Sequence, residues 1–239
     1  MNLSEIIGKS FDVIAKRPVI LVLCLIPAIL RIVVNFAGLY WFWWSDYWTE
    51  FAEIPWDYMA PEEIMETVWD VIFEIAAVTV VVVVIDIVIW ITAMVAFSMV
   101  IAMTAASLEG KEMTLSEAFR SISGKLFLII IASAAVWIIV RVGICALCIG
   151  AFILWVLLAL VKQGIIIDNL GFGESLSKSF NIARPNFFDI MLILLLFFVI
   201  KAGLGLTVFF LPFVGDALGY LVDAFSVAAL TILYIDRRG

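Results

Sequence analysis

The chain has 239 residues, of which 66% are hydrophobic and 15% charged, with a formal net charge of -7. A soluble domain lies nearer half apolar and a quarter charged, so this composition excludes an ordinary soluble fold and leaves room for a single membrane domain. There is no histidine, which removes the commonest general base and the commonest metal ligand; no metal, cofactor or nucleic acid is expected.

From the N-terminus, Asn2-Leu3-Ser4-Glu5 opens an amphipathic stretch ending near Pro18. Asn2 with Glu5 three positions on is a capping-box pair, a weaker version than one built on Thr. Leu3, Ile6, Ile7, Phe11 and Ile14 share one helical face, with Glu5, Lys9, Asp12 and Lys16 opposite. That pattern predicts a helix lying in the inner headgroup layer. Residues 18–41 are the first span. The apolar stretch is longer than the core of a signal peptide and lacks a clear small-residue cleavage site, so it reads as retained. It ends in Tyr40-Trp41-Phe42-Trp43-Trp44, an aromatic belt suited to the bilayer boundary.

Residues 45–74 hold many acids, among them Asp46, Glu53, Asp57 and Glu66, and no Lys or Arg. They lack the Asp-x-Asp-x-Asp-Gly spacing of a calcium loop and read as a solvated outer segment. Trp48, Trp56, Tyr58 and Trp69 interleave with the acids and would suit a protein partner docking there. Pro61-Glu62-Glu63 marks a helix start, with Pro in the first turn and acids at the positive dipole end. A helix over 61–107 would run about 70 Å at 1.5 Å per residue. That is more than twice a bilayer core of roughly 30 Å, so its first turns must stand outside the hydrocarbon. The run Val80-Val81-Val82-Val83-Val84-Ile85 would suit a strand in water, but lipid leaves strand edges unsatisfied, and helix is expected.

Thr114-Leu115-Ser116-Glu117 opens a second amphipathic stretch. Residues 126–167 are long enough for two spans with a short turn between Gly143 and Gly150. Cys24, Cys145 and Cys148 read as small apolar helix residues, because one Cys-x-x-Cys pair without His is a poor zinc site. Gly171-Phe172-Gly173-Glu174 opens a third amphipathic stretch. Residues 187–210 form the fifth span, Leu211-Pro212-Phe213-Val214-Gly215-Asp216 breaks it, and 217–235 is the sixth.

Lys9, Lys16, Arg17, Lys111, Arg120, Lys125, Lys162, Lys178, Arg184, Arg237 and Arg238 all fall in segments assigned to one side. The positive-inside rule makes that side cytoplasmic, with both termini there, in a cell membrane. The expected fold is therefore an all-α membrane bundle of about six transmembrane helices, arranged as three hairpins, each preceded by an amphipathic surface helix. Lys9-Ser10-Phe11 matches Lys178-Ser179-Phe180, and Ala15-Lys16-Arg17-Pro18 resembles Ala183-Arg184-Pro185. Three parallel repeats are expected over 2–110 (with the acidic insertion 45–74), 114–170 and 171–239, a way in which some transporters are built.

The segment from Ile166-Ile167-Asp168-Asn169-Leu170-Gly171 through Glu174-Ser175-Leu176-Ser177-Lys178-Ser179-Phe180 to Arg184-Pro185-Asn186-Phe187 carries a family resemblance. With the ending Leu233-Tyr234-Ile235-Asp236-Arg237-Arg238, it resembles the membrane domain attached to some glycerophosphodiester phosphodiesterases, and related uncharacterised prokaryotic polytopic families. The resemblance covers roughly the last half of the chain. It implies a six-helix membrane domain; the soluble phosphodiesterase domain with its catalytic His is absent, so no catalytic residue carries over.

Arg31, Asp86, Arg141, Lys201 and Asp223 fall within the expected spans. A charge at mid-helix costs about 2.5–3.5 kcal/mol on insertion scales and is normally paired or turned to a polar cavity. The three cations follow Glu5, Glu117 and Glu174 at similar distances, in the outer half of the bilayer, and the two acids leave one net positive charge. The arrangement suits either salt bridges joining helices, with Arg141 snorkelling to the outer headgroups, or an outward pocket for a lipid phosphate or carboxylate. The sequence has no Gly-x-Ser-x-Gly elbow, His-Glu-x-x-His or phosphate-cradling Gly-rich loop. The leading expectation is a non-enzymatic membrane protein that organises or assists a membrane partner or lipid. The alternative is a transporter or channel using the charged pocket for an anionic or lipid-like ligand.

Overall fold

The computed structural model describes residues 1–44, 53, 59–145, 148–206 and 214–238. The outer segment up to residue 58, apart from Glu53, and the expected break over 207–213 lie outside them. So do the side chains of Cys145, Cys148 and the aromatic cluster 40–44.

Among the described residues the chain is all-α, without strands. The helices are α1 (Leu3–Lys16), α2 (Val19–Trp44), α3 (Pro61–Leu108), α4 (Leu115–Ser123), α5 (Leu126–Cys145), α6 (Cys148–Leu157), α7 (Val161–Ile167), α8 (Phe172–Ala183), α9 (Phe187–Leu206) and α10 (Val214–Arg237). Among the described residues, six stretches are long and apolar enough to cross a membrane: Val19–Gly38, Pro61–Leu108, Leu126–Gly143, Gly150–Ile167, Phe187–Leu206 and Leu218–Arg237. The chain is a multi-pass membrane protein by length and composition.

The helix starts follow from local chemistry. At α1 the Asn2 side chain accepts from the Glu5 amide at 2.9 Å while the Asn2 N–H donates to the Glu5 carboxylate at 3.1 Å. Thr114 and Glu117 make the same reciprocal pair at α4. Gly171 has no side chain to offer, so only its N–H donates to Glu174, at 3.0 Å. Ala60 does likewise to Glu63 at 3.0 Å, placing the start of α3 at Pro61. From there α3 runs 48 residues, about 72 Å at 1.5 Å per residue, so it overshoots a bilayer core by more than a factor of two. Gly110, with φ of 72°, stops it in the left-handed conformation that a side chain would resist.

Two expectations change. α10 already begins at Val214, so Val214-Gly215-Asp216 belongs to the sixth helix and not to the break before it. The fourth span is not continuous: α6 ends at Leu157 and α7 begins at Val161. Ser179 of α8 sits at the interruption, donating to the Leu157 carbonyl at 2.7 Å and accepting from the Leu160 amide at 3.2 Å. One hydroxyl thereby replaces backbone partners that the helix gives up, which membrane depth otherwise forbids.

α10 is the hub of the bundle, packing on α2, α3, α9 and α1. Ala224, Ala228 and Ala229 are fully buried along it, and small residues let neighbouring backbones approach. The amphipathic helices also belong to the packed protein. α1 buries Ile6, Ser10, Val13 and Ile14, and Phe11 meets Phe225 of α10 with ring centroids 4.7 Å apart. α8 buries Ser175, Ser179, Ile182 and Ala183. Its close fit to α7 depends on Gly164, where an added Cβ would lie 3.2 Å from the Ser175 hydroxyl and 3.4 Å from the Ser175 backbone.

Candidate functional site: an intramembrane charge cleft

Four of the five expected charged residues come together, from four helices. Arg31 on α2 forms an ion pair with Asp86 on α3. Lys201 on α9 donates to both oxygens of Asp223 on α10, at 3.0 and 2.8 Å. Gly219, one turn before Asp223, makes room for the lysine stem: a Cβ there would lie 3.3 Å from Lys201 Cε. Both pairs line one cavity of about 450 Å³, walled also by Trp90, Phe97 and Tyr220. None of the four side chains is fully buried; they are 29–47% exposed to the cleft or the bundle surface.

Arg141 does not join them. It lies on α5, which packs mainly on α6, α7 and α3, and its guanidinium stacks over Trp137 one turn earlier, 4.7 Å from the ring centroid. The cleft therefore carries two cations and two carboxylates, a balanced set, and not the net positive charge expected from three cations.

Lys162 is one of the basic residues from which the cytoplasmic side was expected, at the end of the apolar run 126–167. It lies inside the fourth candidate span, on α7, and lines a second cavity of about 430 Å³ between α3, α5, α7 and α10. Its ammonium meets Met94 Sδ at 3.6 Å. The signal was present in the sequence as Lys162-Gln163 within the long apolar run 126–167, but a lysine near a span end reads equally well as a topology marker.

At the other end of α7, Asp168 gathers three partners. Lys178 on α8 lies at 2.9 Å and Arg238 at 2.9 Å, and the fully buried Tyr234 donates its hydroxyl to the same carboxylate. Burial pushes the Asp168 carboxyl up, but the Tyr234 hydrogen bond and the two cations outweigh that and hold it below the usual carboxylate range. The N-terminal ammonium of Met1 pairs with Asp236 at 3.1 Å, and Arg17 donates to the Lys111 carbonyl at 2.8 Å. These contacts tie the ends of several helices together.

No family model, curated protein or solved structure matches the chain, and nothing in those comparisons links it to phosphodiesterase membrane domains.

Proposed function

We propose that this chain is a non-enzymatic membrane protein that holds the phosphate-bearing head of a lipid in the cleft between α2, α3, α9 and α10, organising that lipid for a membrane partner. The observation that carries the reading is the pair of ion pairs, Arg31–Asp86 and Lys201–Asp223, around one cavity. Charged groups this exposed at membrane depth need polar company, either water or a ligand head. A lone anion in the cleft would meet two carboxylates as well as two cations. A head carrying both a phosphate and an ammonium matches the balance: phosphate toward Arg31 and Lys201, ammonium toward Asp86 and Asp223. Such a ligand arrives laterally from the bilayer, so the acidic outer segment is no barrier to it.

The setting that fits this reading is a cell membrane with both termini in the cytoplasm, three parallel hairpin repeats, and the acidic aromatic outer insertion 45–74 meeting a partner outside. Native mass spectrometry of the protein released from nanodiscs tests it. The wild type should retain one phospholipid, and the Arg31→Gln, Lys201→Gln double variant should lose it. Equal retention by both would overturn the reading.

A transporter is the second reading, favoured by one observation. The cleft and the second cavity adjoin, sharing Trp90, Met94, Phe97 and Asp223 in their walls, with Arg31 in one and Lys162 in the other. Flux of a lipid reporter across proteoliposomes, abolished by Asp223→Asn, would favour transport over holding.

A further inference from the structure

We infer that the cavity around Lys162 is a second ligand site, built for a single aliphatic chain with an anionic head, a carboxylate or a phosphate monoester. The inference does not rest on the headgroup reading of the charge cleft, because its cation and most of its walls come from other helices.

The walls are apolar and aromatic, with Trp137 on α5, Trp155 on α6 and Leu230 on α10 facing one space of about 430 Å³. That volume falls in the range of small-molecule sites, which typically combine apolar walls with a few placed polar groups. Ser133, Lys162, Gln163, Asp223 and Ser226 are the polar side chains that line it. Among the described residues, Lys162 has no carboxylate within ion-pair distance, and its one hydrogen-bond contact is the weak acceptor Met94 Sδ at 3.6 Å. Asp223, which lines the same cavity, is bound through both oxygens by Lys201. Gln163 is only 2% exposed and its Oε1 has no hydrogen-bond partner; Ser133 Oγ is buried and likewise unpaired.

A buried polar atom left without a partner is costly, and so is an ammonium inside a membrane span. Three such groups around one apolar space are explained together by a ligand head. An anionic oxygen accepts from Lys162 and from the Ser133 hydroxyl. A hydroxyl on the head, as in a singly protonated phosphate, donates to Gln163 Oε1. The attached chain lies along the tryptophans. A cationic or uncharged amphiphile would leave Lys162 unneutralised.

Quenching of tryptophan fluorescence by bromine-labelled alkyl probes tests this with the intact protein in a non-ionic detergent. Four probes of equal chain length carry a carboxylate, a phosphate monoester, an alcohol or a trimethylammonium head. Saturable quenching is expected for the two acids, with the carboxylate and phosphate arms distinguishing the head chemistry, and binding at least about tenfold weaker for the alcohol and the cation. Lys162→Met should lose at least about tenfold in affinity for the acids while Lys162→Arg keeps most of it. Ser133→Leu, which fills the space, should weaken all chains. The loss caused by Lys162→Met should be of the same size in an Arg31→Gln background, which separates this site from the cleft. Equal quenching by acid and alcohol, or unchanged acid binding in Lys162→Met, overturns the inference. Should Lys162→Met fail to fold, the probe comparison on the wild type decides alone.

Discussion

Asp86 of α3 and Arg31 of α2 form an ion pair inside candidate spans that are far apart in sequence, and Lys201 and Asp223 repeat the arrangement between α9 and α10. Each acid is therefore matched by a cation on another helix. Replacing Asp86 by Ala should destabilise the protein in detergent by roughly 1–2 kcal/mol, the scale of polar contacts between membrane helices. Adding Arg31→Gln should recover part of that loss, because the second change removes the stranded charge. Thermal unfolding of the two single variants and the double variant checks this; strictly additive losses would show that the pair contributes nothing.

The interrupted fourth span depends on one hydroxyl. Ser179→Ala should leave the Leu157 carbonyl and the Leu160 amide without their partner and cost about 1–3 kcal/mol. Ser179→Thr, which keeps the hydroxyl, should cost less. Gly164→Val should also destabilise, since its side chain would press on the Ser175 backbone. Denaturation midpoints in detergent read both effects.

Asp168 makes stability depend on pH with a definite sign. Its carboxyl is held below the usual range in the folded protein, so the folded state binds the proton less readily than the unfolded one. The stabilisation is present above the unfolded value, about 3.9 for an ordinary Asp, and is lost as pH falls through the lower folded value. Unfolding followed from pH 6 downward should show this acid limb, and Asp168→Asn should be less stable at neutral pH with a flatter limb. Tyr234→Phe should reduce it in the same direction by removing the hydroxyl that donates to Asp168.

Orientation has its own test. Tags or cysteine labels at the N-terminus, near Lys111, near Asn169 and after Gly239 should be protected from a reagent confined to the outside, and a label at Glu53 should react. Reaction after Gly239 together with protection at Glu53 would contradict the proposed topology.

The helical membrane architecture was legible in the sequence because lipid removes the alternatives: a run such as Val80–Ile85 is helical here despite its strand-forming residues. The helix starts at Leu3, Leu115 and Phe172 were legible because Asn2, Thr114 and Gly171 each stand three residues before a Glu. The break between Leu157 and Val161 was not, since Leu158-Ala159-Leu160 contains no Gly or Pro and the compensating Ser179 comes from another helix. Of the two expectations for Arg141, joining the cluster or standing apart from it, the sequence could not choose for a related reason. Its distance from Glu117 matches those of the other cations from their glutamates, but which neighbour a helix packs against is a tertiary choice that spacing does not encode. Lys162 was hidden because a basic residue near a span end has the same composition signature whether it faces the headgroups or an interior cavity.

The most direct measurement of the central claim is an experimental density map of the protein in lipid nanodiscs. The account predicts a lipid-shaped density entering sideways between α2, α3, α9 and α10, its head within hydrogen-bonding distance of Arg31 and Lys201, and gone in the Arg31→Gln, Lys201→Gln variant. A cleft holding only water, or sealed by side chains with both ion pairs shielded from the bilayer, would contradict it.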